Sequence, residues 1–184
     1  DIYALPNPAT LFTVQQRQRE LLHLLHRQGM ASLNDRSILE LGCGGGGVLL
    51  ELLRYGATPA RLHGIDLLPD RLAQAHHLLP HLPLACADGQ RLPYPAGSFD
   101  LVLQYTAFSS ILDDRIKANL AQEMLRVLRR PGGMIIWYDF WLNPTNPQTR
   151  GIRPAEIRRL FPNCRFEFRR ITLAPPLARR LVPL

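Results

Sequence analysis

Residues 38–53, "ILELGCGGGGVLLELL", decide how the chain is to be read. Five glycines, Gly42, Gly44, Gly45, Gly46 and Gly47, fall within six positions between two apolar runs. Glycine loses more backbone freedom on folding than any other residue and adds no side chain to a core. Such a run after a strand and before a helix predicts a turn where the backbone closely approaches a ligand.

Outward from this turn, apolar runs alternate with helical periods. A helix is expected over 9–28, its stripe made by Leu11, Val14, Leu21, Leu22 and Leu25, with Gly29 at its stop. Strands are expected over 37–41, 62–66, 82–88, 99–108 and 134–140. Helices separate them: one closed by Gly56, one with Pro69 and Asp70 in its first turn, and one capped by Asp113 or Asp114. A short helix over 153–161 and an alternating strand over 165–174 follow. Strand–helix alternation of this kind predicts an α/β fold, a doubly wound and mostly parallel sheet with helices on both faces. Ligands of such sheets bind beyond the carboxyl ends of the strands, where the strand order switches.

Composition bounds the alternatives. The chain has 184 residues, 46% of them apolar, which suits one domain. The expected division is an N-terminal helical lid over 1–36, a ligand-binding core over 37–140, and an acceptor-side region over 141–184. No apolar run reaches the length of a membrane span, and no signal peptide is visible. Three scattered cysteines, Cys43, Cys86 and Cys164, argue against a disulfide framework or a zinc site. A cytoplasmic protein is expected. Of the 22 basic residues, 12 lie from Arg126 onward, against only 3 of the 15 acidic ones. That basic third suits a solvated face, or contact with an anionic acceptor or membrane surface. His23 and His26, and His76, His77 and His81, lack the acidic or thiol companions of a metal site, so none is expected.

Taken alone, the glycine run fits two templates. Gly42, Gly44 and Gly47 satisfy GxGxxG with Asp66 downstream, as in a dinucleotide fold. Glu40, however, would repel a pyrophosphate and suits the ammonium of an amino acid. Asp88, in "CADGQ", can accept from an exocyclic amine such as that of adenine.

With "ELGCGGGG", "GIDLLPD", "ADGQRLPYPAGSFDLVL" and "VLRRPGG" in this order, the chain resembles the class I S-adenosylmethionine-dependent methyltransferases, and among them the small bacterial group. The likeness covers roughly residues 37–140 and implies a Rossmann-like sheet and S-adenosylmethionine as cofactor. It places Glu40, Gly42, Cys43, Gly44 and Gly46 in the family's E-x-G-x-G-x-G turn. Asp66, with Leu67 beside it, would hold the ribose hydroxyls, and Asp88 would face the adenine amine. Gly89 and Gln90 would edge the ring, while Gln104 and Tyr105 would lie near the methionine moiety. Gly45 departs from the Thr or Ser common in the group, and Phe108, Ser109 and Ser110 stand where relatives carry a His pair. The family's last antiparallel strand is expected to be missing.

Methyl transfer from a sulfonium is a direct displacement that needs alignment and, for some acceptors, a base. Asp139 is the first candidate base, with Tyr105 and Tyr138 orienting the acceptor. Tyr3 and Phe12 suit packing or a lid, and the loop "WLNPTNPQTRG" (141–151) is expected to shape the acceptor pocket. A small-molecule acceptor, methylated at oxygen, is the leading expectation. Nucleic acid is disfavoured, because no Asn-Pro-Pro-Tyr-like motif or stacking platform appears. An RNA methyltransferase and a non-catalytic cofactor binder remain the alternatives.

Overall fold

Five short apolar runs become strands β1 (Ile38–Leu41), β2 (Leu62–Asp66), β3 (Leu84–Cys86), β4 (Leu101–Tyr105) and β5 (Met134–Tyr138) in a computed structural model that describes residues 7–142, 146–172 and 182. All pair in parallel in the order β3-β2-β1-β4-β5, so the order reverses between β1 and β4. Parallel neighbours need crossovers, and α2 (Gly47–Arg54), α3 (Pro69–Leu78) and α4 (Asp114–Val127) supply them, with α5 (Pro154–Leu160) following β5.

β1 and β4 are buried along their whole length, which suits their mostly apolar residues, with Glu40 and Gln104 as the buried polar exceptions. One face of the sheet carries Leu39, Leu41, Ile65 and Val102 against Leu120, Ala121, Met124 and Val127 of α4 and Ile157 of α5. Helix α2 covers the other face: a Cβ on Gly64 of β2 would lie 2.7 Å from Leu49 Cδ1 and 2.8 Å from Leu84 Cδ2. Side-chain caps set the start of α4, where Asp113 accepts from the backbone of Arg115 and Ile116. At the amino-terminal edge, Asp100 accepts from the Ser37 amide at 2.8 Å and pairs with Arg129.

By its internal contacts the chain divides into two units, residues 32–166, which hold the sheet, and residues 1–31 with 167–184. In the smaller unit α1 (Pro8–Arg27) starts at Asn7, whose side chain accepts from Ala9 N and Thr10 N. Gly29 at φ 70° follows its end. Leu21 and Leu25 are buried and Phe12 is half-buried. Arg27 pairs with Glu167, and Arg169 with Glu20 and Glu167. Tyr3, Arg179 and Arg180 lie outside the described residues, as do residues 143–145 of the loop after β5. No helix of the described residues is long and apolar enough to cross a membrane.

Several expected strands change. The third shortens to Leu84–Cys86, because Asp88 turns the chain by accepting from Gln90 N. The strand expected over 165–174 does not form in its described part: residues 165–170 are all exposed, so the alternating pattern has no buried face to satisfy. The fourth strand also stops early, at Thr106, whose φ of 59° leaves the extended region.

On β2, His63 lies edge-on to Tyr94 and Phe99, with ring centroids 5.4 and 5.3 Å away. Burial holds its imidazole below its ordinary value of 6.5. The unfolded chain therefore takes up this proton first as pH falls, and stability is lost from about pH 6.5 downward and not above it. Urea midpoints at about pH 7.5 and about pH 5 should fall further for the wild type than for His63→Leu. Equal falls would remove His63 from the account.

Candidate active site at the carboxyl edge of the sheet

The glycine turn leaves β1 at the point where the strand order reverses. Gly42, Gly44 and Gly46 have φ of 73°, 53° and 82°, the left-handed region open to glycine at no steric cost. The amides of Gly42 and Cys43 both donate to Ile65 O at 2.9 Å, which folds the turn over the end of β2. Space is as restrictive as conformation: a Cβ on Gly42 would meet Ala107 Cβ at 2.9 Å, and one on Gly46 would meet Leu79 Cδ1 at 2.9 Å. Gly46 then precedes α2 without a side-chain cap.

Asp66 ends β2 and is 8% exposed. Its Oδ2 accepts from Gly44 N at 2.8 Å and its Oδ1 from Leu68 N at 2.9 Å, so one carboxylate holds the glycine turn and the turn after β2 together. An ionised carboxylate offers about four acceptor positions, which leaves about two for a ligand's hydroxyls. Leu67 and Leu68 beside it are 63% and 51% exposed, an apolar surface next to an acid. Cys43 is buried, and its thiol is pushed up to about 12 by desolvation and by the nearby charges of Glu40 and Asp66. That is the opposite of the shift thiolate chemistry needs. Glu40, 2% exposed, stands on β1 two residues before the turn.

After β3, Asp88 is exposed; Gln90 Nε2 donates to its Oδ2 at 3.1 Å, and Asn119 of α4 donates to Gln90 Oε1 at 3.0 Å. Gly89 sits where a Cβ would come within 3.4 Å of Leu41 and 3.3 Å of Leu120. This loop is thereby fixed against both β1 and α4.

Near the end of β4, Gln104 is fully buried and uses both ends of its amide. Its Oε1 accepts from Ala107 N at 3.0 Å and Phe108 N at 3.3 Å, while its Nε2 donates to Asp139 Oδ2 at 3.3 Å. Asp139 also accepts from Ser109 N at 3.1 Å and Phe140 N at 2.9 Å. Burial pushes its carboxyl above the usual range, with the hydrogen bonds from Ser109, Phe140 and Gln104 pulling the other way. Asp139 thus accepts from Gln104, from the loop after β4 and from Phe140, which leaves about one of its roughly four acceptor positions. Tyr105, 8% exposed, is tilted against Tyr138 at a centroid distance of 5.5 Å.

The structure brings Glu40, the glycine turn, Asp66, Leu67, Asp88, Gly89, Gln90, Gln104 and Tyr105 to the same edge of adjoining strands. The set is a glycine turn flanked by acids, then an acid with spare lone pairs beside an exposed apolar surface, then an exposed acid. That set suits an ammonium, a ribose and an adenine amine in turn, and it fits S-adenosylmethionine better than a pyrophosphate. Among the described residues no three His, Cys, Asp or Glu side chains converge as a metal site. Sequence reasoning missed Thr106, Ser109 as a hydrogen-bond donor, and Asn119. Only the left-handed Thr106 had no possible signal in the residue type.

Residues 38–133 match the family model described as a methyltransferase domain. A phthiotriol/phenolphthiotriol dimycocerosates methyltransferase of Mycobacterium ulcerans is 33% identical over 150 residues, covering 77% of this chain and 51% of that protein. Norajmaline N-methyltransferase of Rauvolfia serpentina is 29% identical over 140 residues, covering 72% and 46%. The chain spans about half the length of the curated relatives it matches. A solved S-adenosylmethionine-dependent methyltransferase from Methanosarcina mazei shares the fold with a TM-score of 0.66 at 20% identity, over 78% of this chain and 84% of that one.

The amide of Gln104 is predicted to be structural. Gln104→Leu leaves two backbone N–H groups of the turn after β4 without their acceptor and should cost about 1–3 kcal/mol in urea denaturation. An unchanged midpoint would show that the turn is held by other contacts.

Proposed function

The chain belongs to the family of S-adenosylmethionine-dependent methyltransferase domains, and from that membership we propose that it methylates a hydroxyl of a small molecule bound beyond β4 and β5. The supporting observation is the left-handed glycine turn, braced by Asp66 at the switch point of the sheet and followed by Asp88 on the next loop. When bound, S-adenosylmethionine supplies a methyl group that is already activated, so the residues of the chain bind and align.

In this reading the backbone of Gly42–Gly46 surrounds the amino acid end of the cofactor, with Glu40 as the negative charge nearest that end. The spare lone pairs of Asp66 take the ribose hydroxyls. Leu67 lies along the adenine, Asp88 accepts from its amine, and Gly89 and Gln90 edge it. Tyr105 orients the acceptor. Asp139 acts as a positioning residue: it holds Ser109 and Gln104, and thereby the turn that carries Thr106 and Ala107, against the glycine turn. A proton leaving the acceptor therefore passes to solvent or to a group on the acceptor itself. An oxygen acceptor is favoured over an ammonium because the acceptor side is rich in arginine and its acids are already paired with cations. Two relatives are named for small-molecule substrates, a lipid and an alkaloid, which supports a small-molecule acceptor here.

Isothermal titration tests the cofactor half of the reading. S-adenosylmethionine should bind and NAD should not, and Asp66→Ala should weaken S-adenosylmethionine by about tenfold or more, which is about 1.4 kcal/mol. Unchanged affinity in Asp66→Ala, or binding of NAD alone, would overturn it. Incubation with methyl-labelled cofactor tests the acceptor half across hydroxylated small molecules, amines and RNA. Label is expected on the hydroxylated compounds. Label on amines or RNA alone would contradict the oxygen acceptor, and binding without transfer to any of them would favour a non-catalytic binder.

A further inference from the structure

The loop after β5, helix α5 and the start of α4 line an open groove of about 650 Å³. It adjoins the candidate active site through the backbone: Arg150 N donates to Ser109 O at 2.8 Å, and Ile152 N donates to Phe140 O at 2.8 Å. The groove wall is therefore stitched to the two segments that Asp139 holds.

Its lining has two characters. Trp141 and Leu142 are 47% and 62% exposed, large apolar side chains left in contact with water, and Ala155 continues their surface. Arg150, Arg153 and Arg159 supply the charge, opposed by Asp114 and Glu156. The two acids are already engaged. The fully buried Lys117 donates to Glu156 Oε1 at 3.0 Å, Arg150 reaches the same oxygen at 3.3 Å, and Arg150 also pairs with Asp114. The Arg150 hydrogen bond holds the Asp114 carboxyl below its usual range, so it stays ionised and paired at neutral pH. Arg153 and Arg159 are exposed and form no ion pair or side-chain hydrogen bond among the described residues. The surplus charge facing the groove is theirs.

Arginine is the side chain best shaped to hold a carboxylate or phosphate, because its planar donors match the oxyanion in pairs. We propose that this groove anchors the methyl acceptor and selects an amphipathic anion, with an apolar body against Trp141, Leu142 and Ala155 and a carboxylate or phosphate on Arg153 and Arg159. The assignment of the ligand as acceptor rests on the methyltransferase reading; the anion site stands on the groove alone. A protonated amine of the same size is rejected by the same two charges.

Titration calorimetry with octanoate, octyl phosphate, octanol and octylammonium tests this on the wild-type chain. Both anions should bind about tenfold or more tightly than octanol or octylammonium. The preferred anion identifies the head group as carboxylate or phosphate. Arg153→Ser/Arg159→Ser should remove that preference, whereas Arg158→Ser, which deletes a charge outside the groove, should keep it. S-adenosylmethionine affinity, measured in parallel, should be the same in all variants and reports that each is folded. Octanol binding as tightly as the anions, or the double variant behaving like Arg158→Ser, would overturn the proposal. Anion binding as expected in a chain that does not bind S-adenosylmethionine would leave the groove in place and remove the methyltransferase reading.

Discussion

The carboxylate of Asp66 is the constraint on which the candidate site depends. Located at the end of β2, it accepts from an amide of the glycine turn and from an amide of its own following turn. The glycine turn and the turn after β2 are thereby tied to one carboxylate. The glycines around it can adopt left-handed conformations only because nothing occupies their Cβ positions, and Ala107 and Leu79 fill the space where side chains would be. Removing the acid would free the turn, and enlarging a glycine would push it away from the sheet. Hydrogen bonding and steric exclusion thus act on the same few residues.

A second clamp works on the opposite side of the switch point. Gln104 and Asp139 come from neighbouring strands and converge on the amides of Ala107, Phe108 and Ser109. Since Ala107 touches the space above Gly42, the two clamps meet. In the proposed reading, this is the edge along which a cofactor's methyl group and its acceptor are aligned. Beyond it, the groove of Arg153 and Arg159 offers a different environment, apolar and positively charged. Binding energy gathered there can orient an acceptor without any chemistry from the groove itself.

The parallel sheet and the glycine turn were legible because each depends on a local pattern: short, mostly apolar buried runs, and glycine where φ turns positive. Asp66, Asp88 and Gln104 were legible as positions, since they lie at or just beyond the carboxyl ends of strands. Their partners were not. Asp139 was legible as an acid after a strand, and that Ser109, Phe140 and Gln104 donate to it is visible only in the structure. The alternating segment 165–170 had the right period for a strand, yet periodicity cannot supply a neighbouring strand, and these residues are exposed. The acceptor groove joins residues 36 and 42 positions apart, such as Arg150 to Asp114 and Glu156 to Asp114, and no spacing rule reaches that far.

Amide chemical shifts of the nitrogen-15-labelled protein, followed as S-adenosylmethionine is added, test the central claim most directly. The account predicts saturable shifts of Gly42, Gly44, Gly45, Gly46, Leu67, Leu68, Gly89 and Gln90, with the amino-terminal edge around Ser37 and Asp100 unchanged. Saturable shifts that spare the glycine turn, or no shifts at any cofactor concentration, would contradict it.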